Sequence, residues 1–183
     1  MTIFASKICT MDLGELNKIL RQKAVDSGLC EKWQQDWQQD WSKDVMLEKF
    51  LGGIDFCLLH NYPDKSFIKE NFTKEELRNA AILVDDAWSL VNPRQSVLLG
   101  SSTSTMRYNG LSVGRVHICD NSKAKVVAKN RSFVIVHLVG NAAVDAETDE
   151  TGRITIIRHD ESTSAETTGN VSVKKELGLY SNS

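Results

Sequence analysis

Residues 115–138 read RVHICDNSKAKVVAKNRSFVIVHL, and within them Val116-His117-Ile118 returns twenty residues later as Val136-His137-Leu138. Around this pair, turn-forming residues recur about every ten positions: Asn109-Gly110, Asp120-Asn121, Asn130, Gly140-Asn141, Thr151-Gly152, Asp160-Glu161 and Gly169-Asn170. The short runs between them are rich in β-formers, and their apolar residues keep one parity. Met106 and Tyr108 begin the series, which continues through Val116 and Ile118, then Ala124, Val126 and Ala128. Val134, Val136 and Leu138 follow, then Ala142, Val144 and Ala146, Ile154 and Ile156, Ala165, and Val171 and Val173. Successive side chains on a strand point to opposite faces, so these residues are expected to form the inward row of every strand.

Two architectures place strands ten residues apart. An antiparallel meander or sandwich pairs each strand with the next and would set Val136 beside Val126 and Val144. A β-solenoid pairs each strand with the one a full coil later and sets Val136 between Val116 and Ile156. The twenty-residue return of the histidine triplet favours the solenoid. Lys125 and Asp145 agree with it, being opposite charges one coil apart and both outward. The small inward residues Ala124, Ala128, Ala142, Ala146 and Ala165 suit a narrow coil. The expected fold is α+β: a helical domain over residues 1–92, a solenoid of about four coils over 93–178, and a tail at 179–183. Unpaired strand edges at the ends of such a stack need cover. The helical half is the natural cover for the first coil, and Lys174-Lys175-Glu176 guards the other end by charge.

The first half has helical periodicity. Asp12 is the expected N-cap of a helix carrying Leu13, Leu16, Ile19 and Leu20 on one face and ending at Gly28. The repeat WQQD sets Trp33, Trp37 and Trp41 four apart, predicting one helical stripe of indoles that belongs to the core. A third helix is expected from about Ser42 to His60, a short one over Ser66–Phe72, and another begun by the capping box Thr73–Glu76.

A net charge of −2 gives no general attraction to nucleic acid or anionic membrane. Cys9, Cys30, Cys57 and Cys119 show neither CxxC nor zinc-type spacing, so they are expected to be reduced thiols, mostly buried, in a cytoplasmic protein. The first twenty residues hold no apolar run of signal-peptide length, so none is expected, and no membrane span, phosphate loop, GxSxG or HExxH occurs in the sequence. The expectation is a protein without catalytic residues, metal or cofactor.

His117, His137 and His159 fall at outward parity, spaced 20 and 22, with Cys119 beside the first. On a solenoid they form a column. Parallel imidazoles do not converge on a metal, so a stacked surface ladder is expected. Phe133, Ile135, Val139 and Ile157 share that parity, and an apolar outward row needs a cover: the chain's own helical half, or a partner. With His117 and His137 they are the candidate partner-binding residues. Arg115, Lys123, Lys125, Lys129 and Arg131 are the candidate nucleic-acid contacts, disfavoured because aromatics are sparse and Asp145 and Glu147 offset the charge. The same two acids are the candidates of a carbohydrate-acting β-helix, a further alternative.

The segments FLGGIDFCLLHNYP (50–63), LVNPRQSVLLG (90–100) and TMRYNGLSVGRVHICDNSKAKVVAKNRSFVIVHLVGNAAVDA (105–146) resemble a group of small proteins of Bacteroides-type bacteria, their phages and mobile elements. That group has no assigned activity; the resemblance implies a short-coil solenoid and a genomic setting. Together these features point to a binding protein docking on a host protein or ribonucleoprotein, such as an inhibitor of an RNA-guided antiviral nuclease. A self-assembling structural protein, acting as a homo-oligomer, is the alternative from another class.

Overall fold

The computed structural model describes residues 11–180; Cys9 and residues 181–183 of the expected tail lie outside the described residues. Six helices come first: α1 (Leu13–Asp26), α2 (Glu31–Asp36), α3 (Lys43–Gly52), α4 (Ile54–Leu59), α5 (Lys65–Asn71) and α6 (Lys74–Asn79). Strands follow: β1 (Ile82–Val84), β2 (Ala87–Val91), β3 (Gln95–Leu99), β4 (Thr103–Tyr108), β5 (Val113–Ile118) and β6 (Lys123–Ala128). The rest are β7 (Phe133–Leu138), β8 (Ala143–Thr148), β9 (Arg153–Arg158), β10 (Ser164–Thr168) and β11 (Val171–Lys175). Odd strands make one parallel sheet and even strands the other. Val136 sits between Val116 and Ile156, so each strand pairs with the one a full coil away and the fold is a parallel β-solenoid behind a helical half. The antiparallel meander is excluded.

The turn residues do more than reverse the chain. At one corner Asn109 N–H donates to Asn92 Oδ1 at 2.8 Å, and Asn130 N–H donates to Asp149 Oδ2 at 2.8 Å. Across the coil, Gly100 N–H donates to Asp120 Oδ2 and Gly140 N–H to Asp160 Oδ2, both at 2.6 Å. Side-chain acceptors thus satisfy corner amides that the strand ladders leave unpaired.

The inward row forms one buried cluster from Leu83 to Ile156. Its far end departs from the expectation. Val173 is 48% exposed, and Ala165 and Val171 are only half-buried, because no further coil covers β10 and β11. Polarity ends the stack there. Arg158 holds the inward register of Leu138, and its guanidinium donates to Thr163 Oγ1 at 2.8 Å and to the carbonyls of Glu161 and Thr163. Lys175 Nζ pairs with Glu161 at 3.0 Å, so the tail guards this end with an ion pair.

The boundary expected after residue 92 falls inside the stack: β1 and β2 already pair in parallel with β3 and β4. Their runs lack the ten-residue spacing of the later coils. Ile82 and Val84 of β1 and Val97 and Leu99 of β3 face the helices and share their core, so the helical half covers the first coil as expected.

Within that half, α6 has the full capping box: Glu76 N–H donates to Thr73 Oγ1, and Thr73 N–H to Glu76 Oε2. Asp12 occupies the N-cap of α1, yet its side chain accepts no capping bond. The expected helix over 42–60 breaks at Gly53 into α3 and α4. Nor do the tryptophans share one helix. α2 stops at Asp36, Trp37 is extended, and Ser42 caps α3. Tertiary contacts override the repeat: Trp37 Nε1 donates to the buried Asn17 at 2.6 Å, and the Trp37 and Trp41 rings meet at 4.7 Å. Trp41 is buried, while Trp33 and Trp37 are half-buried. Trp41→Ala should therefore cost ~3–5 kcal/mol and Trp37→Ala less, read as shifts of denaturation midpoint at constant m.

Candidate functional site

The outer wall of the odd-strand sheet carries the outward row, and register sorts it into columns. One column runs Val97, His117, His137, Ile157; its neighbour runs Arg115, Ile135, Thr155; a third runs Val113, Phe133, Arg153. The helical half covers only part of this wall. Cys119 and Val139 join Ile82, Val84, Val97 and Leu99 in the core shared with the helices. Phe133, Ile135 and Ile157 take no part in that core and are half-buried, and Val113 is 62% exposed. Of the four apolar candidates, Val139 is thus under the chain's own cover and the other three are not.

The histidine column forms, but not as a surface ladder. His117 and His137 stack with centroids 4.5 Å apart and planes 10° apart. His159 sits two positions beyond the register partner of His137, which is Ile157, and its ring still reaches the column at 5.3 Å. His117 and His159 are buried because α4 and the C-terminal tail cross this part of the wall. Tyr180 packs edge-on against His159 at 4.9 Å, and its hydroxyl donates to Asp55 Oδ1 of α4 at 2.6 Å. The chain end is thereby tied to a helix 125 residues earlier.

Hydrogen bonding sets two tautomers. The Glu176 carbonyl can only accept, so His159 Nδ1–H donates to it at 3.0 Å. With that ring singly protonated, Nε2 is the acceptor and His137 Nδ1–H donates to it at 3.0 Å. His117 has neither bond. Both of its ring nitrogens are buried without a partner, and its nearest acid, Asp55 Oδ1, stands 4.0 Å from Nε2, beyond hydrogen-bond reach. Burial, reinforced by His137 and Arg115, pushes the His117 pKa down to about 3. Burial, with His159 and Arg115, pushes that of His137 down to about 4. Burial likewise raises the Cys119 thiol far above its ordinary value. Among the described residues no group of three His, Cys, Asp or Glu is arranged to hold a metal ion.

The basic cluster does not assemble on one face. Arg115 lies on the odd-strand wall, whereas Lys123 and Lys125 project from β6 in the other sheet; Lys129 and Arg131 sit at the corner between β6 and β7. Adjacent in sequence, they are separated by the bend of the coil. Lys125 pairs with Asp145 at 3.2 Å and Glu147 at 3.1 Å, the coil-to-coil contact its twenty-residue spacing predicts. The two acids of the carbohydrate alternative are therefore already engaged.

Sequence reasoning missed Asp55 and Tyr180, whose link across the histidines needs the tail's path. It also missed Val113 and Arg153, which share the outward parity and were readable by it. Among the described residues no helix is long and apolar enough to cross a membrane. No family model, curated protein or solved structure matches the chain.

Proposed function

We propose that this is a non-catalytic binding protein that docks a protein partner on the uncovered part of the odd-strand wall. The observation behind this is the apolar group Val113, Phe133, Ile135 and Ile157, outside the helical core and bordered by Arg115 and Arg153. Apolar side chains flanked by two arginines resemble the centre and rim of an interface, and the two guanidiniums favour a partner with acidic groups at its edge. A parallel-sheet wall loses little conformational entropy on docking. Engagement of Asp145 and Glu147 by Lys125 speaks against glycoside chemistry, and the dispersal of the basic residues speaks against a nucleic-acid track.

The genomic setting implied by the resemblance makes a host defence component, such as an RNA-guided nuclease, the first partner to test. Affinity capture from host lysate should recover a protein whose retention falls at least tenfold with Phe133→Ala or Ile135→Ala, each truncation at such a centre costing ~1–2 kcal/mol. Capture insensitive to both substitutions would sink the proposal. One observation favours self-assembly as a second function: the edges of β10 and β11 and the half-open Val171 and Val173 at the last coil. Light scattering that finds a monomer at all working concentrations removes it.

A further inference from the structure

The helical half contains a partly open cavity of about 250 Å³. It lies between α1, α3 and α4, and Trp33, Trp37, Trp41, Phe50 and Phe56 supply aromatic surface to it. Its few polar lining groups are engaged elsewhere. Tyr62 Oη donates to the Leu20 carbonyl at 2.8 Å, and Trp37 Nε1 to Asn17. The Cys57 thiol, pushed up to about 12 by burial, stays protonated and points toward the Phe50 carbonyl at 3.9 Å. Water finds few partners in such a space, and an apolar cavity of this kind stays dry or takes an apolar guest.

One lining residue breaks the apolar pattern. Lys49 Nζ stands over the rings of Trp41 at 5.3 Å and Trp33 at 5.9 Å, and no carboxylate among the described residues pairs with it. An aliphatic body inside and an anion at the lysine would satisfy both the apolar walls and the cation. A cavity of about 150 Å³ holds a benzene ring, so by proportion this one holds roughly ten carbons.

We infer that the helical half binds a medium-chain carboxylate, its hydrocarbon chain among the tryptophans and its carboxylate at Lys49. This site is independent of the partner-binding wall and stands whether or not that wall docks a protein. Titration of the full chain with decanoate, followed by calorimetry and thermal melting, tests it, with 1-decanol as the uncharged counterpart. Expected are one equivalent bound and a melting temperature that rises with decanoate concentration.

Lys49 is half-buried at the aromatic rim, and Lys49→Gln should leave the fold intact. It should weaken decanoate roughly tenfold, as loss of a charge-assisted hydrogen bond does, and leave decanol unchanged. Ala24 is fully buried beside the cavity, so Ala24→Leu should crowd the space and weaken binding of both molecules at least tenfold, with melting in the absence of ligand checking that the variant still folds. No heat and no thermal shift with millimolar decanoate, binding of many equivalents, or unaltered decanoate affinity in Lys49→Gln would each overturn the assignment.

Discussion

Acidification from pH 6.5 toward pH 4 is expected to remove most of a histidine-dependent contribution to stability, on the order of 4 kcal/mol. The sign follows from His117. Its pKa falls from 6.5 in the unfolded chain to about 3 in the folded one, so between those values the unfolded chain takes up a proton that the folded chain refuses. Stability is complete above the unfolded value and is lost as pH falls toward the folded one. His137, lowered to about 4, adds to the same slope by a smaller amount because it is partly exposed.

The groups facing His117 do not rescue the charged form. Arg115 and a protonated His137 or His159 would repel it, and Asp55, 4.0 Å away and exposed, is already the acceptor for Tyr180. Carboxylates act lower on the scale. Asp86, held by Arg78, and Asp149, held by backbone N–H groups, both lie at about 2, so their contribution is complete above the ordinary value of 3.8 and is lost as pH falls from there through about 2.

His117→Phe separates the two windows. It keeps the stack on His137 and removes two buried nitrogens that have no partner. Urea unfolding should find it ~1–2 kcal/mol more stable at neutral pH, with the slope between pH 6.5 and 4 more than halved. An unchanged slope in the variant would mean that His117 is not sealed under α4.

What the sequence disclosed and what it withheld divide along a physical line. Turn spacing and parity are local, and they gave the inward row from Met106 to Ile156, the parallel register and the Lys125–Asp145 pair. Cover is not local. That Val139 packs against the helical core while Phe133 and Ile135 do not depends on where six helices come to rest. The burial of His117 depends on the same thing, and the path of residues 176–180 over His159 has no periodic signal. The WQQD repeat misled because a four-residue period speaks for a helix only while no tertiary contact competes. Trp37 leaves the helix to bond Asn17 and meet Trp41. Short helices that pack imperfectly also leave the cavity, a void that no pattern of residue types encodes.

Gly152→Ala is expected to cost ~3 kcal/mol, at the upper end of overpacking effects, although glycine in a turn ordinarily reads as a matter of backbone freedom. Gly152 does not have a positive φ, so conformation is no obstacle to alanine there. The obstacle is the neighbouring coil. A Cβ at this position would stand 2.1 Å from the Ala128 carbonyl oxygen and 2.7 Å from its carbon, and both atoms belong to backbone. That oxygen also accepts the Asp149 N–H at 3.3 Å, while Gly152 N–H donates to Asp149 Oδ1 at 2.7 Å. Relief of the clash must therefore move one coil off the next and strain the hydrogen bonds that join them.

Gly110 supplies the control. Its φ is +70° with nothing within 4 Å of a Cβ, so Gly110→Ala carries only the left-handed backbone penalty of about 1 kcal/mol. At the size of this chain the first substitution should lower Tm by roughly 6–12 °C and the second by roughly 2–4 °C. Equal shifts would mean that the coils are not stacked closely enough at this corner to exclude a methyl group, and the twenty-residue register would lose its steric cause there.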